Sequence, residues 1–178
     1  GHTGRVNDAA FSPDGHHLAS ASDDSTIRVW EVQTGKTLLT MKGDDKEKLE
    51  VSWSPKGNWL VSYGARDHHR IWNAKTGESI ANVAPIKARS GFSVSGARMG
   101  GFAFSPDDKS YVCADRDSAI IYVRDIRTGE KQLRLAGKRP KTDLNNLDRL
   151  VFSPDGSLIA GAYRYVGTNS VALNVWDA

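Results

Sequence analysis

The 178-residue sequence contains a single cysteine, Cys113, and only two methionines. One thiol cannot form an intramolecular disulfide, and it cannot by itself complete a cysteine-based metal cluster. No apolar run approaches the roughly 18 to 20 residues that a membrane helix needs, and no charged-then-apolar leader opens the chain. We therefore expect an intracellular protein, in the cytoplasm or another reducing compartment, with no membrane segment.

The sequence also lacks a strong excess of charge of one sign. Its 24 basic and 21 acidic residues are spread along the whole length and leave a formal net charge of +3. There is no basic arm of the kind that binds nucleic acid, so nucleic-acid binding gains only weak support. The apolar fraction of 39% is sufficient for a packed core.

A short motif recurs four times: an aromatic residue, then Ser-Pro, then Asp-Gly in the first and last copies, Lys-Gly in the second and Asp-Asp in the third. The copies begin at Phe11, Trp53, Phe104 and Phe152. A strand-like run follows each copy, then a polar turn and a second such run. In the first three copies a Thr-Gly pair comes next, at Thr34, Thr76 and Thr128. These turn residues suit tight reversals, and no stretch keeps a 3.6-residue period over ten positions. The pattern predicts an all-β chain of repeating four-stranded units.

The predicted strands can be placed by residue number. The runs after the Ser-Pro turns are 17–22, 59–63, 110–114 and 158–162. The runs that follow them are 26–32, 69–74, 119–126 and 171–176. The last strand of the first unit is expected at 36–41.

Four such units, with Gly1-His2 at the start and Val29-Trp30 in the third strand, resemble the WD-repeat (WD40) family along the entire chain. Ile71-Trp72 and Val175-Trp176 repeat the third-strand signature. The resemblance implies a β-propeller segment built of four-stranded antiparallel blades. Repeat one would span 1–42, repeat two 43–84, repeat three 85–136 and repeat four 137–178.

The resemblance also implies a hydrogen-bonded chain of Trp, Ser, His and Asp that locks a blade. Repeat one has all four residues, at His2, Ser20, Asp24 and Trp30. Ser, His and Asp are also the members of a hydrolase triad. A buried indole N–H must find an acceptor or cost about 1 to 3 kcal/mol, which favours a structural network. We find no Gly-rich phosphate loop and no His-Glu metal helix, so we expect no enzyme activity and no cofactor.

The other repeats depart from this set of four. Repeat two keeps Ser62 and Trp72 but has Asp44 in the histidine place and Arg66 in the aspartate place. Repeat three keeps Asp117 but has Cys113 for the serine and Arg124 for the tryptophan. Repeat four keeps Trp176, with Asp143 for the histidine and Gly161 for the serine. We predict that repeat one is the most rigid and repeat four the least.

Two histidine pairs, His16-His17 and His68-His69, suggest metal ligands. Neighbouring side chains on a strand point to opposite faces, so the two rings of a pair diverge. We therefore expect no metal site.

Length differences between the repeats fall on one side of the predicted blades. With strands named a to d in chain order, the a–b and c–d turns lie at one end of a blade. The b–c turns and d–a loops lie on the opposite face of the propeller, here called the b–c end. All insertions map to the b–c end, and loops on a rigid scaffold often carry binding residues. Neutral drift in loop length is the alternative explanation.

The inserted segments are basic and partly aromatic. The candidate partner-binding residues are Arg89, Phe92, Arg98, Arg116, Lys138, Arg139, Lys141, Tyr163, Arg164 and Tyr165. These observations predict a non-enzymatic scaffold that mediates protein–protein interaction through the b–c end, with a protein or peptide as partner. The alternative is a phosphate-bearing ligand, nucleic acid or phosphopeptide, bound by the same basic cluster.

Four repeats are few for this architecture, since propellers usually close with 4 to 8 blades. The sequence supplies four inner three-strand sets but only three outer strands, so we expect a partial ring whose last blade lacks its outer strand. Uncovered blade faces and strand edges are an aggregation hazard. We expect the remaining blades to come from a longer parent chain. A second copy of the chain and a closed four-blade ring are the alternatives.

Overall fold

The computed structural model describes residues 1–43, 50–63, 69–80, 102–115, 120–136, 146–164 and 171–178. These residues form fourteen strands in four antiparallel sheets and contain no helix. The first sheet consists of β1 (Val6–Phe11), β2 (His17–Ser22), β3 (Thr26–Glu31) and β4 (Thr37–Lys42). The second has β5 (Glu50–Trp53), β6 (Trp59–Tyr63) and β7 (His69–Asn73). The third has β8 (Phe102–Phe104), β9 (Ser110–Asp115), β10 (Ile120–Asp125) and β11 (Lys131–Ala136). The fourth has β12 (Asn146–Phe152), β13 (Leu158–Arg164) and β14 (Val171–Asp177).

Within each sheet, strands that are neighbours in the chain are also neighbours in space, in the orders β1-β2-β3-β4, β5-β6-β7, β11-β10-β9-β8 and β12-β13-β14. The all-β prediction and the blade-like meander are thus confirmed. In the second sheet, an isolated bridge between Trp72 and Ser79 lies where a fourth strand would begin. The residues after 80 there lie outside the described part of the chain.

The turns between the first and second strands of each sheet share one hydrogen bond. A serine hydroxyl accepts the amide proton of the residue that begins the second strand, at 2.9 to 3.0 Å. The serines are Ser12, Ser54, Ser105 and Ser153. The third of these turns has Asp108, at φ 62°, where the other three have a glycine with positive φ. The Ser-Pro motif therefore predicts the turn because its serine closes it.

The turns between the third and fourth strands are also closed from within. The Asn73 carboxamide oxygen accepts the amide protons of Lys75 and Thr76, at 2.8 and 3.1 Å. Asp125 accepts those of Arg127 and Thr128 in the same way, at 2.8 and 2.9 Å. A glycine with positive φ, such as Gly35 at 69°, follows the threonine and completes the reversal.

The chain divides into two compact units, Gly1–Pro85 and Ile86–Ala178. In the first unit, small and aliphatic residues of the first sheet pack against Val51, Leu60 and Trp72 of the second. In the second unit, Val112, Ile121 and their neighbours in the third sheet pack against Leu150 and Ile159 of the fourth. Each unit is thus a pair of sheets joined face to face by apolar burial, which is the main stabilising contribution in such a fold. Among the described residues, no helix is long and apolar enough to cross a membrane.

Candidate functional site

The structure brings His2, Ser20, Asp24 and Trp30 into one continuous set of hydrogen bonds. Strands β2 and β3 supply Ser20 and Trp30, the β2–β3 turn supplies Asp24, and the segment before β1 supplies His2. Trp30 Nε1 lies 2.7 Å from Ser20 Oγ, and Ser20 Oγ lies 2.7 Å from His2 Nε2. His2 Nδ1 lies 2.9 Å from Asp24 Oδ2.

The proton positions along this network follow from the donors at its two ends. The indole N–H of Trp30 can only donate, so Ser20 Oγ accepts from it. Ser20 then donates its own proton to His2 Nε2, and His2 donates from Nδ1 to the Asp24 carboxylate. Each polar atom is satisfied with one consistent histidine tautomer, assigned here from the hydrogen-bond pattern.

Two threonines that the sequence analysis did not single out complete the environment of Asp24. The Thr3 amide donates to Asp24 Oδ2 at 2.9 Å. The Thr26 amide and hydroxyl donate to Asp24 Oδ1 at 2.9 and 2.6 Å. The Asp-x-Thr sequence at 24–26 is typical of an Asx-turn and could have indicated this contact.

Burial acts to raise the pKa of the Asp24 carboxyl, but hydrogen bonds outweigh it. Those bonds come from Thr26, from the Thr3 amide and from His2, and together they hold the pKa well below its usual range. The carboxylate is therefore charged at neutral pH and accepts hydrogen bonds at both oxygens.

Gly4 permits the chain before β1 to approach this turn. A Cβ atom at Gly4 would lie 2.6 Å from the backbone nitrogen of Asp24, which is closer than any packing tolerates. The resemblance-based set of four did not include Gly4, although a glycine two residues after a histidine at a strand entry is consistent with close backbone contact.

The order of contacts, carboxylate to imidazole to serine hydroxyl, is that of a hydrolase triad, but the surroundings differ. A catalytic serine must be open to substrate, whereas Ser20 is only 5% exposed. Its oxygen also accepts the Trp30 indole proton, and the His2 and Asp24 side chains are buried. This arrangement links strands β2 and β3 to the chain entry, and it favours a structural role over catalysis.

The second sheet keeps half of the network. Trp72 Nε1 donates to Ser62 Oγ at 2.9 Å, and both side chains are buried. Asp44 and Arg66 lie outside the described residues, so the remainder of this position stays a prediction.

The third sheet has different residues at the serine and tryptophan positions and an aromatic stack beside them. Cys113 is buried at the serine position. Arg124, at the tryptophan position, donates from Nη1 to the Gly129 carbonyl at 2.9 Å. Phe102 stacks on the fully buried Tyr111, with ring centroids 5.4 Å apart. This cluster was not predicted, because a tyrosine in a strand indicates burial without indicating its neighbours.

In the fourth sheet the tryptophan fills the place of the missing serine. A Cβ atom at Gly161 would lie 3.0 and 3.1 Å from two ring carbons of Trp176, and 3.2 Å from a methyl carbon of Leu150. The glycine is therefore needed for close packing of the indole. Asp143 lies outside the described residues.

The candidate partner-binding residues fall almost entirely outside the described part of the chain. Tyr163 and Arg164 end strand β13, and their side chains are not described. The other eight, Arg89, Phe92, Arg98, Arg116, Lys138, Arg139, Lys141 and Tyr165, lie in the segments 81–101, 116–119, 137–145 and 165–170. The binding face thus stays a prediction. Among the described residues, no group of three or more His, Cys, Asp or Glu side chains is placed to hold a metal.

Comparisons with known proteins agree with the repeat. The family model described as "WD domain, G-beta repeat" matches residues 1–31. The ribosome biogenesis protein ERB1 of Ajellomyces capsulatus is 47% identical over 51 residues, which is 29% of this chain and 6% of that protein. The erb1 protein of Emericella nidulans is 46% identical over 54 residues, or 30% of this chain and 7% of the relative. The chain therefore matches only a small part of these relatives.

A solved structure extends the likeness in fold to nearly the whole chain. Hydrazine synthase of Kuenenia stuttgartiensis covers 97% of this chain with a TM-score of 0.65, at 19% sequence identity and over 46% of its own length. At that identity the likeness concerns the fold alone. Four meander sheets of this kind define a β-propeller type of repeat protein. The family-model match over residues 1–31 agrees with the resemblance of the first repeat to the WD-repeat family.

Proposed function

We propose that the chain is a non-enzymatic scaffold that binds a protein or peptide partner through the b–c end of its blades. WD repeats typically serve as protein-interaction scaffolds and are generally non-enzymatic, which supports the general class. The single observation that carries the choice of surface is a contrast between the two ends of the sheets: one end has uniform, internally closed turns, and the other carries all the variation in length.

At the a–b end the polar groups are already engaged. The four serine hydroxyls bond to the chain that follows them, and Asn73 and Asp125 bond to their own turns. A group that is satisfied internally gains little from exchanging its partner for another protein. This end is therefore poorly suited to selective recognition.

At the b–c end the antiparallel order fixes which strand ends are joined. Segments 116–119 and 165–170 join the second and third strands of their sheets, and segment 137–145 joins β11 to β12. These are segments that carry the candidate residues. In the first sheet, the hydrogen bond from His2 to Asp24 ties the chain entry to the β2–β3 turn at this same end. We propose that this hydrogen-bonded network stabilises the b–c end of the first sheet, so that the loops there extend from a rigid base.

The similarity to the relatives is confined to a short stretch of both proteins. Ribosome biogenesis is the function in their names, but the alignment covers only 51 residues, which is about one repeat of this chain and 6% of the relative. Similarity over so short a stretch supports a shared repeat unit and does not extend to the function of the whole relative. We propose an intracellular location, which the single cysteine of the sequence supports, since one thiol cannot form an intramolecular disulfide.

The test is a pair of matched charge reversals. One variant changes Arg98, Arg139 and Arg164 to Glu, which alters the b–c end. The control changes Lys36, Lys75 and Arg127 to Glu, which makes the same change of charge in the Thr-Gly turns. Affinity purification from a cell extract, quantified by mass spectrometry, should lose its specific partners with the first variant and retain them with the control. Equal partner sets for both variants would refute the proposed surface.

A salt titration separates this proposal from binding of a phosphate-bearing ligand. The binding of a labelled RNA oligonucleotide by the chain would be followed by fluorescence anisotropy as salt is raised. Neutralisation of several phosphates makes the logarithm of affinity fall steeply with the logarithm of salt concentration. Submicromolar binding with such a slope, abolished by the first triple variant, would favour the nucleic-acid alternative over the protein scaffold.

A further inference from the structure

The pairing registers identify equivalent positions on the first, third and fourth sheets. Ile27 pairs with Ala21, Ile121 with Ala114, and Leu173 with Ala162. Two residues further along the third strand of each sheet, Val29 pairs with Ala19, Val123 with Val112, and Val175 with Ala160. Leu173 and Val175 are therefore the counterparts of the residues that form the cores of the two units.

These counterparts differ sharply in exposure. Ile27 and Val29 are 0% and 2% exposed, because the second sheet packs on them. Ile121 and Val123 are similarly buried beneath the fourth sheet. Leu173 and Val175 are instead 68% and 54% exposed. Together with the exposed Val151, which pairs with Ala160, they form an apolar stripe across all three strands. We call this stripe the fourth-sheet face.

The second sheet covers the first, and the fourth sheet covers the third. The first sheet has an exposed surface that is equivalent to these two covering surfaces. In the first unit, the covering surface is built on Leu60, which pairs with Trp53 on one side and Trp72 on the other. In the second unit, Ile159 pairs in the same way with Phe152 and Trp176. In the first sheet, Leu18 pairs with Phe11 and Trp30. Phe11 is 63% exposed. We call Phe11, Leu18 and Trp30 the first-sheet face.

We propose that the fourth-sheet face of one copy of this chain is covered by the first-sheet face of a second copy. The contact would repeat, position for position, the two sheet-to-sheet interfaces that already exist within the units. Exposed apolar surface of this extent is unfavourable in water and is characteristic of an interaction site. Because the two faces differ, the contact is heterologous, and a residue on one face never meets its own copy. The proposal rests on sheet faces and is independent of the loops at the b–c end.

Light scattering of the purified chain tests association first. The weight-average mass should rise above the 19.4 kDa monomer across the micromolar range. Leu173→Asp and Phe11→Asp each spoil one face at an exposed side chain, so each alone should remain a monomer, with at least a tenfold weaker association. Leu133→Asp is the control, since this exposed leucine lies on the outer strand β11, away from both faces. It should associate like the unaltered chain.

Mixing the two variants makes the test specific to this pairing. The Phe11→Asp chain keeps an intact fourth-sheet face, and the Leu173→Asp chain keeps an intact first-sheet face. An equimolar mixture should therefore form a one-to-one complex of twice the monomer mass, although neither variant associates alone. Val175→Lys in place of Leu173→Asp should behave identically, which guards against a folding defect in one variant. An unaltered chain that stays monomeric while folded, or a mixture that stays monomeric, would overturn the proposal.

Discussion

At Ser20, the hydroxyl oxygen lies 2.7 Å from the indole nitrogen of Trp30 and 2.7 Å from His2 Nε2. Both of its hydrogen-bonding directions toward the network are therefore used, and the side chain is buried. The same three residue types that make a nucleophile in an open cleft here satisfy one another inside a sheet. Access and partner choice, more than residue identity, decide the chemistry of such a set.

Ser20→Ala should destabilise the first unit by about 1 to 3 kcal/mol, because it leaves the Trp30 indole N–H and His2 Nε2 buried without a partner. Hydrogen exchange of peptides from residues 1–43 under native conditions measures the change. Thr40→Ala, which removes an exposed threonine hydroxyl on β4, is the matched control and should have little effect. Unchanged exchange in Ser20→Ala would show that the network contributes nothing to stability.

The lowered pKa of Asp24 predicts a pH dependence of stability. An unfolded aspartate has a pKa of about 3.9. Because the folded pKa lies below that value, the native state binds fewer protons, and the stabilisation is complete above this pH. It is lost progressively as the pH falls through the unfolded value toward the folded one.

Asp24→Asn removes this contribution and leaves the other aspartates in place, including Asp155, whose pKa is lowered to about 2 by hydrogen bonds from Ser153 and Ser157. Urea unfolding between pH 7 and pH 2 should therefore show a weaker loss of stability with acid in the variant than in the unaltered chain. Identical slopes would contradict the assigned ionisation of Asp24.

At the scale of the element, the four sheets keep one strand order and stabilise the tryptophan position in different ways. The first uses a full hydrogen-bonded network, and the described residues of the second include an indole-to-serine bond. The third uses an arginine and stacked aromatic rings. The fourth packs the indole directly on a glycine. The same strand order thus accommodates several different contacts at the tryptophan position.

Gly161→Ala should destabilise the second unit by about 1 to 3 kcal/mol, because the added methyl group overpacks the contact with Trp176 and Leu150. Hydrogen exchange of peptides from residues 146–164 measures the change. Gly1→Ala is the control, since a Cβ atom there meets no other atom within 4 Å. A neutral or stabilising Gly161→Ala would mean that the indole has room to move.

Much of the strand and turn structure could be predicted from the sequence. The Ser-Pro and Thr-Gly motifs located β2, β3, β6 and β7 to within about a residue, because those turns are closed by local side-chain bonds that the motif itself contains. Thr26 was missed although its contact with Asp24 is local, two residues along the chain. Thr3 and Gly4 were missed because their contacts join segments about twenty residues apart. The Phe102–Tyr111 stack was missed for a similar reason, since it depends on how two strands are paired.

At the scale of the whole molecule, each unit repeats one interface, in which the apolar face of one sheet is covered by the first strands of the next. The sequence predicted the blades and the uneven loops. It could not predict which apolar residues would remain uncovered, since Leu173 and Ile27 are equally apolar and occupy equivalent positions. The exposure of such a residue depends on whether another sheet packs on it, which only the structure shows.

In the proposed scaffold, rigid blades present variable loops to a partner at the b–c end. Hydrogen exchange of the chain, alone and with a partner recovered by affinity purification, tests it most directly. Binding should protect segments 81–101, 137–145 and 165–170, while the Ser-Pro turns and the Thr-Gly turns exchange as before. Protection confined to those turns, with the three segments unaffected, would contradict it.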